Sequence, residues 1–262
     1  MLRSPLLNVM VTAVLKAGKG LKRDFGELEN LQVLTKGPGD FVSIADKKAE
    51  RSLQADLEKA RPGYGFVMEE AGIIEGADKT HRWHIDPLDG TTNFLHGIPC
   101  FATSLALERE GVLVAGVVYN PATEELFTAE RGKGAYFNDR RIRVSGRRLM
   151  EDSVVAGAVM HLGRGNHTAN LADISAVMGK VAGVRHFGSV AMELAYVASG
   201  RLDGLVERWL SSWDLAAGIV LVREAGGFVT DPRGGETMLE TGEIVAGNEA
   251  IHKGLLDAIR KA

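Results

Sequence analysis

The spacing of apolar residues changes along the chain, and each stretch predicts a different kind of secondary structure. Near the start, apolar residues recur every three or four positions, which is typical of a helix with one buried face: Leu6, Val9, Met10, Ala13, Val14 and Ala17. A second helix is predicted over 44–60, because Ser43 suits its N-cap and Pro62 follows its end. Short apolar or alternating runs then predict an antiparallel meander, with strands at 64–68, 81–86, 101–107, 112–119 and 125–129.

Beyond residue 150, predicted strands and helices alternate, which indicates an α/β arrangement. The strands fall at 154–160, 228–230 and 244–246, and the helices at 169–182, 190–199, 213–225 and 249–260. We therefore expect two halves that share an interface within one compact unit. Residues 1–145 form an α+β half, and residues 146–262 form an α/β half.

Composition narrows the class of protein. Of the 262 residues, 45% are hydrophobic and 25% are charged, which excludes disorder as the overall state. The net charge of −3 argues against binding of nucleic acid or membranes by bulk charge. The one cysteine, Cys100, excludes a disulfide within the chain and a cysteine-rich zinc site. No membrane-length apolar run and no signal-peptide cleavage site stand out, so we expect a cytoplasmic protein.

The strongest local signal for chemistry lies in residues 83–93. Asp86 and Asp89 follow a predicted strand, three positions apart, and precede Gly90-Thr91-Thr92. Carboxylates held together repel unless they are protonated or bound to a cation, and hard oxygen ligands suit Mg²⁺. Backbone N–H groups at a following helix start would attract an anion such as phosphate. Taken alone, the segment is also explained by an acidic turn whose carboxylates cap that helix.

Three further segments place acids where a chain leaves a strand or enters a helix. Glu69 and Glu70 follow the predicted strand 64–68, Asp46 lies early in the helix 44–60, and Asp214 opens the helix 213–225. Each has an ordinary structural explanation when it is considered alone. Glu69 and Glu70 fit a solvated loop, whereas Asp46 and Asp214 complement the positive end of a helix dipole.

Together these segments resemble the inositol monophosphatase family, which belongs to the lithium-sensitive, Mg-dependent sugar phosphatase superfamily. Residues 83–94 match its first signature, W-x-x-D-P-[ILV]-D-G-T-x-N-[FY], throughout. Residues 213–227 resemble the second signature, which opens on Trp-Asp and closes on Ala-Gly-Gly. The resemblance implies a layered α-β-α-β-α fold and a metal-assisted phosphomonoesterase. A haloacid-dehalogenase-type phosphatase is excluded, because its D-x-D-G-T motif has a different spacing and lies near the N-terminus.

The resemblance also implies the residues of a site for two or three Mg²⁺ ions. One ion would be held by Glu69, Asp86 and the carbonyl of Leu88. A second would be held by Asp86, Asp89 and Asp214, with Asp86 bridging the two. The remaining residues of the catalytic set are Glu70, near a weaker metal or its waters, and the pair Asp46 and Thr91, which would orient and deprotonate the attacking water.

The substrate implied by the resemblance is a small polyol phosphate, foremost inositol monophosphate. Gly90, Thr91 and Thr92 would seat the phosphate, while Gly188 and Ser189 would contact the sugar and Glu207 its ring hydroxyls. Lys36 lies in a segment that resembles a mobile loop over the site. Fructose 1,6-bisphosphate and nucleotide phosphates stay open as substrates. A protein that kept the fold and lost catalysis is disfavoured, because every expected ligand is present.

Partners follow from the resemblance and from one basic stretch. The family relationship implies a homodimer and inhibition by lithium. Residues 140–148 contain five arginines. We interpret them as the cationic edge of a solvated strand. A contact with RNA or with a transcription complex is the alternative, since some bacterial relatives are implicated in ribosomal RNA transcription complexes.

Overall fold

The computed structural model describes residues 3–27, 33–37, 40–157 and 165–260. The helices within these ranges are α1 (Pro5–Phe25), α2 (Ile44–Ala60), α3 (Thr91–Leu95), α4 (His167–Met178), α5 (Val190–Ala198), α6 (Ser212–Glu224), α7 (Met238–Thr241) and α8 (Glu249–Ile259). A 3-10 turn spans Met150–Asp152.

The strands fall into a hairpin and two larger sheets. The hairpin consists of β1 (Val33–Gly37) and β2 (Asp40–Ser43). The first large sheet contains β3 (Gly65–Met68), β4 (Gly72–Ile74), β5 (His81–Asp89), β6 (Ala102–Arg109), β7 (Val112–Asn120), β8 (Glu125–Glu130), β9 (Gly134–Phe137) and β10 (Arg140–Ile142). The second contains β11 (Val154–Gly157), β12 (Gly183–Arg185), β13 (Gly204–Glu207), β14 (Phe228–Thr230) and β15 (Ile244–Gly247).

These elements stack in five layers. Helices α1 and α2 pack on each other and on one face of the first sheet, against β5, β6 and β7. Helices α5 and α6 lie between the two sheets, since both contact strands of each. Helix α8 packs on β13 and β15, and α4 packs on α8 and β12. The predicted α-β-α-β-α arrangement is confirmed.

The first sheet has the order β10-β9-β8-β7-β6-β5-β3-β4. The predicted antiparallel meander is confirmed from β5 through β8, and β9 and β10, which the meander prediction did not include, continue it; β3, however, pairs with β5 in parallel. The sequence analysis missed β4, a three-residue strand that pairs antiparallel with the outer side of β3. The chain must therefore cross back over β3 before it enters β5, and this crossing makes the β3–β5 pair parallel.

In the second sheet, the order is β12-β11-β13-β15-β14. The sequence analysis missed β12 and β13, which are too short to show a period. The helix predicted over 169–182 is α4, which ends at Met178 because Gly179 caps it. The strand predicted over 154–160 ends at Gly157, and residues 158–160 lie outside the described residues. The division near residue 145 stays a prediction, and the two large sheets lie on either side of it.

The central strands β6 and β7 are buried on both faces because helices cover both sides of the sheet. Phe101, Leu105 and Val117 belong to the core shared with α1 and α2, whereas Ala106 and Val118 belong to the core shared with α5 and α6. The apolar excess of these strands is thus satisfied within one chain. It gives no support to a homodimer, which rests on the resemblance alone.

Helix α1 illustrates why the N-terminal layer forms. The Ser4 side chain accepts a hydrogen bond from the N–H of Leu7 at 3.1 Å, and Pro5 occupies the first turn, where it costs no hydrogen bond. The predicted apolar face is buried, including Met10 and Val14. No helix within the described ranges combines the length and the apolar content that crossing a bilayer requires.

Gly116 allows helix α6 to pack closely against the first sheet. A Cβ atom at this position would lie 2.6 Å from the carbonyl oxygen of Ala217, a backbone atom that cannot rotate away. We expect Gly116→Ala to lower the free energy of unfolding by about 1–3 kcal/mol, the usual cost of overpacking. Denaturant unfolding measures this change.

Gly146→Ala is the matched control, because an added Cβ there meets no atom within 4 Å. We expect that variant to stay within about 0.5 kcal/mol of the parent protein. Equal stabilities of the two variants would contradict the close packing of α6 on β7.

Candidate active site

Asp86 lies near the end of β5, at an irregularity in the strand. It is 2% exposed. Asp86 pairs with Ser104, but the next pair along the ladder joins Asp89 to Ala102, so β5 carries one extra residue here. Such a bulge changes the direction in which the following side chains project. The side chains of Asp86 and Asp89 therefore do not follow the regular up-and-down alternation of a strand, and both lie at the same end of the sheet.

Glu69 reaches this end of the sheet from the neighbouring strand. Because β3 runs parallel to β5, the first residue beyond β3 lies beside the last regular residues of β5. The N–H of Glu69 donates to the carbonyl of Ile85 at 3.3 Å, which continues the ladder by one bond. This bond fixes Glu69 beside Asp86.

Asp214 approaches from the layer between the sheets. It lies in the first turn of α6, and the N–H of Ser211 donates to its Oδ2 at 2.8 Å. Helix α6 packs against β5, which carries Asp86 and Asp89. The start of α6 thus brings to the end of β5 a carboxylate from a segment more than a hundred residues distant in sequence.

Glu69 and Asp214 lie close enough to Asp86 and Asp89 for their charges to act on this pair. Burial raises the pKa of Asp86 well above its usual value, and the negative charges of Glu69, Asp89 and Asp214 raise it further. Burial and the charge of Asp214 raise the pKa of Asp89 to about 8. Asp89 keeps some exposed surface, but its Oδ2 is enclosed by hydrogen bonds of 2.7 Å from Ser189 Oγ and from the N–H of Ala191.

Such a group of carboxylates is stable only when a proton or a cation offsets the repulsion. All of its donors are hard oxygens, and carboxylate and carbonyl oxygens are the ligands that Mg²⁺ prefers. The donor set therefore fits a hard divalent cation. The carbonyl of Leu88 lies within the bulge, and the N–H of the same residue donates to Asp86 Oδ1 at 2.9 Å.

Asp46 and Thr91 form a second pair beside the carboxylates. Asp46 lies in the first turn of α2 and is fully buried. Thr91 Oγ1 lies 3.2 Å from Asp46 Oδ1 and 3.1 Å from the carbonyl oxygen of Leu88. The hydroxyl has one proton to donate, so it bonds to one of these oxygens at a time and keeps lone pairs for another donor.

Gly90 brings the loop before α5 against the start of α3. Its φ is +90°, and a Cβ there would lie 3.1 Å from the carbonyl oxygens of both Cys100 and Gly188. Asn93 stabilises the same contact, because its Nδ2 donates a hydrogen bond to the carbonyl of Phe187 at 2.6 Å. Gly188 and Ser189 therefore lie beside the first signature, and Ser189 is the N-cap of α5.

Glu207 ends β13 and is 3% exposed, so it is not a surface carboxylate. Burial raises its pKa well above the usual value, and the charges of Glu193, Asp89 and Asp214 add to that rise. Glu207 thus lies in the same electrostatic environment as the metal-type carboxylates. Its position at the end of a strand of the second sheet brings that sheet to the site.

The remaining predicted site residues are Glu70, Thr92 and Lys36. The Glu70 side chain is half-buried, and its N–H donates to Glu50 Oε2 at 2.9 Å. Thr92 is exposed on α3. Lys36 lies in β1, but its side chain, like residues 38–39 of the predicted loop, lies outside the described part of the chain.

The arginine-rich stretch lies at the edge of the first sheet, since β10 is its outermost strand. All five arginines are exposed, and Arg147 also pairs with the buried carboxylate of Asp203 at 3.2 Å. The interpretation as a cationic strand edge agrees with the positions of Arg140 and Arg141, whereas the other three arginines follow the end of β10.

Sequence reasoning missed two acids near the site. Glu50 is buried one helical turn beyond Asp46, on the same face of α2, and it holds the backbone of Glu70. Its spacing of four residues from Asp46 was the available signal. Glu193 is fully buried in the first turn of α5. A charged residue in an otherwise apolar helix was the signal there.

Comparison with known proteins extends the likeness to the whole chain. A profile of the inositol monophosphatase family matches residues 2–262. The inositol-1-monophosphatase of Mesorhizobium japonicum is 61% identical over 261 residues, which cover 100% of this chain and 98% of that protein. The Nus factor SuhB of Pseudomonas aeruginosa is 43% identical, with 98% of this chain and 96% of that protein covered. The crystal structure of extragenic suppressor protein SuhB from Bartonella henselae has a TM-score of 0.96 at 56% identity, covering 99% of this chain and 100% of that one.

The raised pKa of Asp89 predicts how the metal-free protein responds to pH. The ordinary value is 3.8 and the folded value about 8, so the folded state binds this proton more tightly than the unfolded state does. The resulting stabilisation is complete below about pH 4 and is lost as the pH rises through the folded pKa. In a chelator, the free energy of unfolding should therefore fall between about pH 4 and pH 8.

Denaturant unfolding at a series of pH values measures this slope. Asp89→Asn should flatten it, because the variant has no carboxylate to titrate at this position. Asp56→Asn removes a carboxylate paired with Lys16 on the surface and should keep the slope. The same slope in the parent protein and in Asp89→Asn would contradict the electrostatic account.

Proposed function

Because the chain belongs to the inositol monophosphatase family, we propose that it hydrolyses a small polyol phosphate monoester, foremost inositol monophosphate, with the help of Mg²⁺. Membership of the family makes it a phosphatase. The observation that carries the finer proposal is that Asp86, Asp89 and Asp214 act on one another by charge, while the partly buried Thr91 donates to the fully buried Asp46. Acidic ligands and a separate proton acceptor are what a metal-assisted hydrolysis requires.

The metal ligands are inferred from the same carboxylates. Glu69, Asp86 and the carbonyl of Leu88 would hold one Mg²⁺, and Asp86, Asp89 and Asp214 a second, while Glu70 would support a weaker third. When bound, these ions lower the pKa of a water molecule and neutralise charge on the phosphate and the leaving oxygen. The chain contributes the spacing of the ligands, which β3, β5 and α6 set.

Asp46 and Thr91 would position the attacking water and take its proton. The Thr91 hydroxyl donates to Asp46 and accepts from the water, so it fixes the direction in which the water's lone pair points. Burial of Asp46 keeps bulk water from competing for the same oxygens. The proton then has a carboxylate within one hydrogen bond of the reacting centre.

Binding of the substrate is assigned to the surrounding loops. The backbone of Gly90, Thr91 and Thr92 would seat the phosphate, and the segment that contains Lys36 would cover the site. Gly188 and Ser189 would contact the sugar, and Glu207 would accept hydrogen bonds from its hydroxyls. The name of the Mesorhizobium japonicum relative, inositol-1-monophosphatase, favours inositol over fructose 1,6-bisphosphate or nucleotide phosphates.

Partners and location form part of the proposal. By family relationship we infer a homodimer and inhibition by lithium, which would occupy a metal position. The name Nus factor SuhB of the Pseudomonas aeruginosa relative keeps a transcription-associated role as a second candidate. The exposed arginines at the β10 edge are the surface that such a role would use. We expect the protein to act in the cytoplasm.

Replacement of Asp89 tests the metal site. Asp89→Asn keeps the shape of the side chain but removes a charged ligand, whose interaction with the ion is worth several kcal/mol. We expect kcat/KM for inositol monophosphate to fall at least about a hundredfold. Asp56→Asn should keep the parent rate. Full activity of Asp89→Asn, or of the parent protein in a chelator, would reject the proposal.

Replacement of Glu207 separates substrate recognition from catalysis. Glu207→Gln loses a charge-assisted hydrogen bond worth about 1.5–3 kcal/mol, so kcat/KM for inositol monophosphate should fall about ten- to a hundredfold. A simple aryl phosphate has no ring hydroxyls and should be hydrolysed almost as before. Equal losses on both substrates would instead mean that Glu207 supports the metals.

A further inference from the structure

Beside the metal-type carboxylates lies a second group of possible ligands, formed by His186, Glu193 and Glu207. Each offers one nitrogen or carboxylate oxygen, and these atoms lie within 4.8 Å of one another. His186 Nδ1 is 3.8 Å from Glu193 Oε1, and the imidazole is 37% exposed. The group therefore has two buried anionic ligands and one ligand that is open to solvent.

Two oxygens of this group lack donors. Within the described residues, neither Glu193 Oε2 nor Glu207 Oε1 accepts a hydrogen bond from an N–H or hydroxyl group, although the two residues are 0% and 3% exposed, and the close approach of the two carboxyl groups raises the pKa of Glu207. The other oxygen of Glu193 is satisfied, since the N–H of Phe187 donates to Oε1 at 2.5 Å. No lysine or arginine of the described residues is recorded in an ion pair with either carboxylate. A buried carboxylate without hydrogen-bond donors destabilises the folded state unless a proton or a cation compensates its charge.

We propose that His186, Glu193 and Glu207 bind a divalent transition-metal ion of the Zn²⁺ type, separately from the Mg²⁺ ligands Asp86, Asp89 and Asp214. Imidazole suits Zn²⁺, whereas Mg²⁺ prefers oxygen ligands and retains its waters. Three protein ligands leave the fourth tetrahedral position open. Bond lengths of about 2.1 Å would draw the ligand atoms to about 3.4 Å from one another, so they must close up around the ion. The exposed His186 side chain is free to make most of that movement.

A proton is the competing occupant of this position. If Glu207 held one, it would donate to Glu193, and the carboxyl pair would need no metal. A shared proton makes no use of His186, however, whereas a metal ion requires it. The dependence of ion binding on His186 therefore distinguishes the two occupants.

Occupancy would change substrate recognition, and this consequence rests on the function proposed for Glu207. An ion held by Glu207 removes the acceptor that would bind the ring hydroxyls of the substrate. Zn²⁺ should then inhibit the hydrolysis of inositol monophosphate more strongly than that of an aryl phosphate. The same ion would leave the position of Asp46 and Thr91 unchanged.

The test is equilibrium dialysis of the full-length protein against Zn²⁺ in a buffer that holds Mg²⁺ in large excess. We expect one Zn²⁺ per chain that Asp89→Asn retains. His186→Asn and Glu193→Gln should each raise the dissociation constant for that ion at least about tenfold, as loss of a ligand does. Glu193→Gln keeps an acceptor for the N–H of Phe187, and His96→Asn, which alters an exposed histidine outside the group, should bind as the parent does.

Thermal melts of all variants check that they fold. Zn²⁺ binding that is unchanged by His186→Asn and Glu193→Gln, or that is absent from the parent protein, would overturn the proposal in favour of a shared proton. Binding that requires both residues, without preferential inhibition of inositol monophosphate hydrolysis, would support the ion site and reject the substrate role of Glu207. Failure of the ion site and failure of the proposed function are thus distinguishable.

Discussion

Mutual repulsion among buried carboxylates at the end of β5 is the constraint around which this molecule is organised. Asp86 is 2% exposed, and burial together with the charges of Glu69, Asp89 and Asp214 raises its pKa well above the usual value, so ionising it requires a compensating cation. A chain that gained nothing from such a group would replace it with apolar side chains. The fold instead holds the carboxylates of Asp86, Asp89 and Asp214 by backbone N–H donors, and a bound cation would convert the repulsion into attraction.

The five layers bring these charges together from distant parts of the sequence. Helix α6 has two roles. Its first turn carries Asp214, and the rest of the helix packs between the sheets. Its small residues permit that packing: a Cβ at Gly218 would lie 2.3 Å from a Leu194 methyl, and Gly116 faces the α6 backbone. The second signature thus combines one acid with the steric conditions for placing it.

In two neighbouring groups of acids, buried carboxylates need a compensating proton or cation, but the groups that surround them differ. Around Asp86 the donors are oxygens alone, and backbone N–H groups of β5 and α5 fix the carboxylates. Around Glu193 and Glu207 the third group is an imidazole, and two carboxylate oxygens have no donor among the described residues. This difference in donor type is why we infer a hard ion in one place and a softer ion in the other.

The sequence by itself determined the features that depend on neighbours along the chain. These are the bounds of α2, the meander from β5 to β8, and the acids and Gly90 at the end of β5, because periodicity, caps and turns act over a few residues. Only the tertiary structure decided what remote segments share. It made β3 parallel to β5, buried β6 and β7 on both faces within one chain, and set Glu193 against Glu207. Contacts between segments far apart in sequence leave no local period, so each of these required the packed molecule.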